Sequence, residues 1–347
     1  MSLGPLMIDL RGTELAADER EWLASALVGG VILFARNYEN REQVERLTAE
    51  IHAVRQPPLL VAVDHEGGRV QRFREPFFRL PPLRALGRFY DEDGEAAELA
   101  AAAFGWLTAA ELRAVGIDLA FAPVVDRDLG LADVIGDRAL HKDSRVVSTL
   151  ARRFAAGAKR GGMAITAKHF PTHAGAHSDS HTELAVDRRD YAELLDDLLP
   201  YRDLVAWGLQ SVMVAHVIFP ALDPAPASFS SWWINTQLRG ELGFTGAVIS
   251  DDVSMAGAAV IGSVSGRVRR ALEAGCDLVL LCNSPQEVPG VLESLEGYVN
   301  PSAQLRLTRL HGRGKTDWAA LQASAEWRSA RAALAPLCAV PKLELEG

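Results

Sequence analysis

The feature that most constrains this chain is a rhythm: a short apolar run rich in β-branched residues, then an amphipathic stretch, repeated from the N-terminus to about residue 300. The strand candidates are Leu6–Leu10, Val28–Phe34, Leu59–Asp64, Ile117–Val125, Met163–His169, Ser211–Val217, Ala247–Asp252 and Asp277–Cys282. Between them, Asn40–Arg55, Glu95–Val115, Val146–Arg160, Asp190–Trp207, Ser231–Leu242 and Ser265–Ala274 read as helices. Each crossover is long enough to bring the next strand back parallel to the last. Runs such as Val-Gly-Gly-Val-Ile-Leu-Phe are apolar throughout, as expected of parallel strands buried on both faces. Eight such units predict an α/β fold, a (β/α)8 TIM barrel. A doubly wound open sheet would usually carry a phosphate-binding glycine turn after its first strand, and none follows Leu10. Beyond residue 300 the strand signal stops, and Arg306, Arg309 and Arg313 alternate with leucines in a helical pattern. The predicted organisation is a single domain: a barrel over 1–300, with a helical C-terminal extension over 301–347 packed on it.

Charge narrows the partners. With 36 basic and 45 acidic side chains the formal charge is -9, which argues against a general polyanion binder and makes nucleic acid an unexpected partner. The segment Met1–Leu10 lacks a basic, then apolar, secretion pattern and reaches Asp9 almost at once. No apolar run approaches the roughly 20 residues that cross a bilayer, so no membrane association is expected. The three cysteines, Cys276, Cys282 and Cys338, are odd in number and sit in apolar contexts, which reads as buried thiols rather than disulfides. A cytoplasmic protein, monomeric or weakly homodimeric, is expected.

In a parallel barrel, polar groups at the C-terminal strand ends converge on one face, whereas the same groups in mid-strand would be costly to bury. Here Asp64 and His65 end the third strand, Lys168 and His169 the fifth, His216 the sixth and Asp251 and Asp252 the seventh, and Asn283 follows the eighth. After the fifth strand comes a loop of small residues and histidines reaching His181. Within it Asp179 and His181 lie two apart, close enough for the carboxylate to orient the imidazole and favour its protonated form. Glycoside hydrolysis by the retaining route needs a proton donor for the leaving oxygen and a carboxylate nucleophile. His181 and Asp251 supply that pair, with Asp64, Arg72, Arg138, Lys168 and His169 as candidate hydrogen-bonding partners for a sugar.

Other readings compete. His169, His173, His177 and His181 recur every four residues and would share one face of a helix, the arrangement of a metal-dependent hydrolase. Pro171, Gly175 and two serines argue for loop instead. A non-catalytic sugar-binding barrel is a second alternative, and phosphorolysis by the same residues a third, because a histidine donor repels phosphate less than a carboxylate does. Trp232-Trp233 reads as helix packing, and Gly67-Gly68 as a backbone turn near the pocket rather than a nucleotide fingerprint.

Three segments in order, Val-Asp-His-Glu-Gly-Gly-Arg-Val-Gln-Arg-Phe (63–73), Lys-His-Phe-Pro through Asp-Ser-His (168–181) and Ser-Asp-Asp-Val-Ser-Met (250–255), resemble glycoside hydrolase family three. The likeness spans about residues 5 to 315 and is greatest to the family's single-domain bacterial branch, cytoplasmic β-N-acetylglucosaminidases of peptidoglycan recycling. It implies Asp251 as nucleophile, His181 as acid/base and Asp179 as its partner. It also implies that Asp64, Arg72, Arg138, Lys168 and His169 contact a non-reducing N-acetylglucosamine. The implied substrate is a small glycan or anhydro-muropeptide, with no metal and no organic cofactor. Two departures stand out. Pro171-Thr172-His173-Ala174 replaces the usual Pro-Gly-His-Gly, which would strain the loop if either position needed a positive φ. Leu140 stands where an aromatic residue is common, which would alter the pocket wall.

Overall fold

The computed structural model describes residues 3–176, 185–314 and 317–338. Its centre is a closed barrel of eight parallel strands. In chain order the strands of the fold are β1 (Leu6–Asp9), β2 (Val28–Leu33), β3 (Leu60–Val63), β4 (His65–Gly67), β5 (Val70–Gln71), β6 (Leu119–Ala120) and β7 (Ala164–Phe170). They continue with β8 (Ala185–Val186), β9 (Ser211–Val214), β10 (Val217–Phe219), β11 (Asp223–Pro226), β12 (Ala247–Asp252) and β13 (Leu278–Leu281). The barrel runs β1-β2-β3-β6-β7-β9-β12-β13 and closes where Leu6 pairs with Val279. Every predicted strand is present, and each neighbours its predecessor. The fourth, expected over Ile117–Val125, is laddered only at Leu119–Ala120, because Pro123 has no N–H to donate; Val125 N regains the register by donating to Lys168 O.

Helices α1 (Ala17–Ala24), α2 (Arg41–Ala53), α3 (Leu83–Glu92), α4 (Gly94–Ala114), α5 (Ser144–Arg160), α6 (Tyr191–Trp207), α7 (Val264–Ala274) and α8 (Val288–Ser294) surround the strands. Their ends follow from local chemistry. Asn40 caps α2 by accepting from Gln43 N, and Asp190 and Glu193 form a reciprocal capping box on α6. The apolar face of α2 is Val44, Leu47 and Ile51, a helical spacing buried against the barrel. Helices α4 and α5 cross in close contact, since a Cβ added at Gly157 would sit 2.0 Å from Ala102 O. The segment predicted as a helix over Ser231–Leu242 is helical from Trp232 to Glu241 but wound as a π-helix, ending with Leu242 N on Gln237 O. Trp233 is fully buried on Phe170 and Phe219, so the tryptophan pair packs rather than presents itself to a ligand.

After the barrel come α9 (Pro301–Thr308), α10 (Trp318–Ala323) and α11 (Ala325–Leu334). Arg306 of α9 grips the buried Asp277 at 2.8 and 3.0 Å, and Gly312 N donates to Asp118. Trp327 of α11 donates its Nε1–H to Glu111 of α4 at 2.8 Å. Cys276 and Cys282 are buried thiols as expected, whereas Cys338 is only half-buried. Among the described residues no helix is long and apolar enough to cross a membrane.

Candidate active site

At the C-terminal end of the barrel lies a cavity of about 650 Å³, a size ordinary for small-molecule sites. Its wall includes Asp64, Arg72, Arg138, Lys168, His169 and Asp251, six of the residues singled out from sequence. Asp179 and His181 lie outside the described residues. His216 does not line the cavity. It is buried behind the wall, stacked on Phe229, accepting from Ser228 at Nδ1 (2.6 Å) and donating from Nε2 to the main-chain oxygen of Asp252 (3.0 Å). That polar strand end supports the turn carrying Asp251 instead of facing a ligand.

The hairpin β4–β5 brings part of the wall into place. Gly67 and Gly68 turn it at φ +92° and +54°, and a Cβ on Gly67 would meet Pro81 O at 2.3 Å, so neither position admits a side chain. This turn aims Glu66 inward. Glu66 accepts from Arg138 Nε (2.8 Å) and Nη2 (2.9 Å) and from Lys168 Nζ (2.6 Å), while Lys168 also donates to Asp64 (2.9 Å). Two carboxylates and two cations therefore alternate in one buried cluster, with Arg72 beside Asp64 at 3.4 Å. Burial alone would favour the neutral carboxyls, but the Arg138 and Lys168 charges outweigh it and hold Glu66 well below its ordinary range. The Lys168 and Arg72 charges lower Asp64 in the same way. Lys168, which burial would deprotonate, is raised by Asp64 and Glu66. Glu66 was not among the candidates from sequence; its partner Arg138 lies 72 residues away, and only its place in the 63–73 segment hinted at it.

His169, at the end of β7, is oriented from behind by Asp126, which was also missed. Asp126 Oδ2 accepts from His169 Nδ1 at 2.7 Å and Oδ1 from His173 N at 2.7 Å. On the other side of the ring, Arg138 Nη2 lies 3.4 Å from Nε2. Lysine, histidine and arginine thus share one wall.

Across the cavity, Asp251, the last residue but one of β12, accepts from Asp252 N at 2.9 Å. Asp252 also lines the cavity, and its carboxylate accepts from Ser254 N (3.0 Å), Ser254 Oγ (2.6 Å) and Cys282 N (3.0 Å). Burial pushes Asp252 up to about 6 against those hydrogen bonds. Asn283, held at φ +55° by Asp9 and Arg36, completes this side.

Neither of the two departures causes the trouble expected of it. Thr172 and Ala174 do not have positive φ, and Thr172 Oγ1 donates to Asp197 (3.0 Å) and accepts from Ala174 N (3.0 Å), so the hydroxyl has a place that a glycine would leave empty. Leu140 is buried in the core and does not line the cavity, so its change from an aromatic residue does not alter that wall. Residues 171–176 form turns rather than helix, so His169 and His173 do not share a helical face. Among the described residues no three His, Cys, Asp or Glu side chains converge to hold a metal ion.

Comparison with known proteins identifies the family of the chain. Residues 6–310 match the glycosyl hydrolase family 3 N terminal domain. A beta-hexosaminidase from Thioalkalivibrio sulfidiphilus is 50% identical over 346 residues, covering 100% of both chains. One from Nitrosospira multiformis is 51% identical over 318 residues, 91% of each chain. Among solved structures, NagZ from Neisseria gonorrhoeae in complex with N-trifluoroacetyl-D-glucosamine superposes with a TM-score of 0.93 at 41% identity, covering 98% of this chain and 99% of that one.

Proposed function

Given that this chain belongs to glycosyl hydrolase family 3 and is a β-hexosaminidase, we propose that it removes non-reducing terminal β-linked N-acetylglucosamine by double displacement with net retention. The observation that carries this reading is the cavity itself. A carboxylate at the end of the seventh barrel strand, Asp251, faces the same space as a buried, charge-balanced set of donors and acceptors suited to a polyhydroxylated ring.

In the proposed first step, Asp251 attacks the anomeric carbon while His181, oriented by Asp179, protonates the departing oxygen; the glycosidic bond breaks as the glycosyl-aspartate bond forms. His181 then takes a proton from water, whose oxygen attacks the same carbon and releases Asp251 as a carboxylate. Asp64, Arg72, Arg138, Lys168 and His169 hold the sugar. Neither metal nor organic cofactor is required. The enzyme acts in the cytoplasm, as a monomer or weak homodimer, on small glycans, with anhydro-muropeptides of cell-wall recycling as the natural substrate class.

The test is hydrolysis of 4-nitrophenyl N-acetyl-β-D-glucosaminide by wild type and Asp251→Ala after exhaustive chelation, in phosphate buffer. Turnover by wild type alone, yielding free N-acetylglucosamine, is expected. A sugar phosphate product would mean phosphorolysis, loss of activity restored by zinc would revive metal catalysis, and turnover by Asp251→Ala would remove it as nucleophile.

A further inference from the structure

One carboxylate in this site touches neither the cavity nor a cation. Asp126 has a side chain 0% exposed, and the donors it faces all come from the segment that ends β7. Its Oδ2 accepts from both the main-chain N–H of His169 (3.2 Å) and the ring Nδ1 of the same residue (2.7 Å). Its Oδ1 accepts from the main-chain N–H of His173 (2.7 Å). An ionised carboxylate only accepts, so the ring hydrogen of His169 sits on Nδ1. On the other side of the ring, Arg138 Nη2, which can only donate, lies 3.4 Å from Nε2, and it is this contact that points to a lone pair on Nε2.

We propose that Asp126 is a positioning residue that fixes the tautomer and ring plane of His169, so that the wall built from Lys168 and Arg138, both donors, has an acceptor between them for a sugar hydroxyl. This rests on the sugar-binding reading of the cavity. The chemistry of the wall makes the need clear. Lys168 and Arg138 supply only N–H groups, and Glu66, the carboxylate they share, is 1% exposed and already accepts from both. A hydroxyl that accepts from Lys168 or Arg138 has its own hydrogen to place; the Arg138 contact to Nε2 is long, 3.4 Å, and Nη2 keeps Glu66 at 2.9 Å, so the hydroxyl can take over the one lone pair of His169 Nε2. With the hydrogen on Nε2 instead, the ring would aim a donor at the Arg138 guanidinium and the wall would reject the hydroxyl.

The experiment combines a spectrum with kinetics. In protein labelled with ¹⁵N-histidine, the His169 ring, assigned by its loss in His169→Gln, is expected to show hydrogen on Nδ1 and a bare Nε2. In Asp126→Ala that signature is lost. Asparagine has one oxygen for donors that need two, so Asp126→Asn, the variant to use should alanine fail to fold, is expected to fall between the two. Inhibition by N-acetylglucosamine is expected to weaken about 10- to 100-fold in Asp126→Ala, the scale of a misplaced contact group. It should weaken comparably in His169→Gln, and by no more than the larger single effect in the double variant.

A wild-type ring with hydrogen on Nε2, unchanged inhibition in both Asp126 variants, or multiplicative effects in the double variant would each overturn the assignment. The hexosaminidase reading fails separately. Wild type without turnover or N-acetylglucosamine binding would refute that reading, while the ring signature would still show whether Asp126 sets the tautomer.

Discussion

Replacing Glu66 with glutamine tests whether the alternating charges under the cavity are held by balance or by packing. The side chain of Glu66 is 1% exposed and that of Lys168 3%, so solvent does little to screen them. Glutamine keeps the shape and removes one negative charge. The glutamine oxygen still accepts at one of the two carboxylate positions, but its amide nitrogen meets a donor at the other, and Lys168 keeps only Asp64 as a carboxylate partner. Removing one partner from a buried ionic cluster costs about 3–5 kcal/mol, because the surviving charge stays buried without compensation. Unfolding entropy of about 2.1 cal/mol/K per residue gives ~0.7 kcal/mol/K for a chain of 347 residues, so the melting temperature should fall by about 4–7 °C. Differential scanning calorimetry at low and high salt reads this directly, and the loss should persist in salt. Lys168→Met in the Glu66→Gln background removes the unmatched cation, so the double variant should lose less than the sum of the singles. A fall below about 1 °C, or simple additivity, would refute the reasoning.

Further outcomes follow from the same geometry. His181→Ala should lose about 10² to 10⁴ in rate, and less with good leaving groups, as proton donation requires; equal loss across a series of aryl leaving groups in the glycosylation step would argue against His181 as donor. Thr172→Gly strips a hydroxyl that bonds Asp197 and Ala174 N, leaving both buried, and should destabilise by about 1–3 kcal/mol in urea; a neutral result would mean that the hydroxyl contributes nothing. Burial pushes the Glu111 carboxyl from 4.5 up to about 7, against hydrogen bonds from Phe78 N and Trp327. The unfolded chain therefore gives up this proton near 4.5 while the folded chain keeps it to about 7, so its contribution to stability falls as pH rises across that window and is level outside it. Urea midpoints at about pH 5 and about pH 8 should fall for wild type relative to Glu111→Gln; a pH-independent difference between the two would contradict this.

The barrel strands were legible because each is a run of apolar residues buried on both faces, a pattern that no surface element imitates. Pro123 shortened the fourth for a reason also visible in sequence, its missing N–H. The winding of Trp232–Glu241 was not legible, because its buried positions, Trp233, Ile234, Gln237 and Leu238, recur every four residues, a spacing that an α-helix satisfies as well. In the site, Asp64, Arg72, Arg138, Lys168, His169 and Asp251 could be named from strand ends and segment likeness. Glu66 and Asp126 could not, because each matters through a partner brought to it only by the closed barrel. His216 misled in the opposite direction: a polar residue at a strand end looks the same in sequence whether it faces the cavity or braces the turn behind it.

Barrel closure has a consequence for how the molecule is made. The first strand, β1, finds its second neighbour only in the last, with Leu6 on Val279 and Ile8 on Leu281. During synthesis at about 5–20 residues per second, the stretch between them takes roughly 15–55 s to emerge. Throughout that interval one side of β1 presents bare N–H and C=O groups, the kind of edge that recruits foreign strands. The ribosome-bound chain therefore carries an open barrel edge until β13 emerges, and the same pairing that shapes the cavity is the one that ends that exposure.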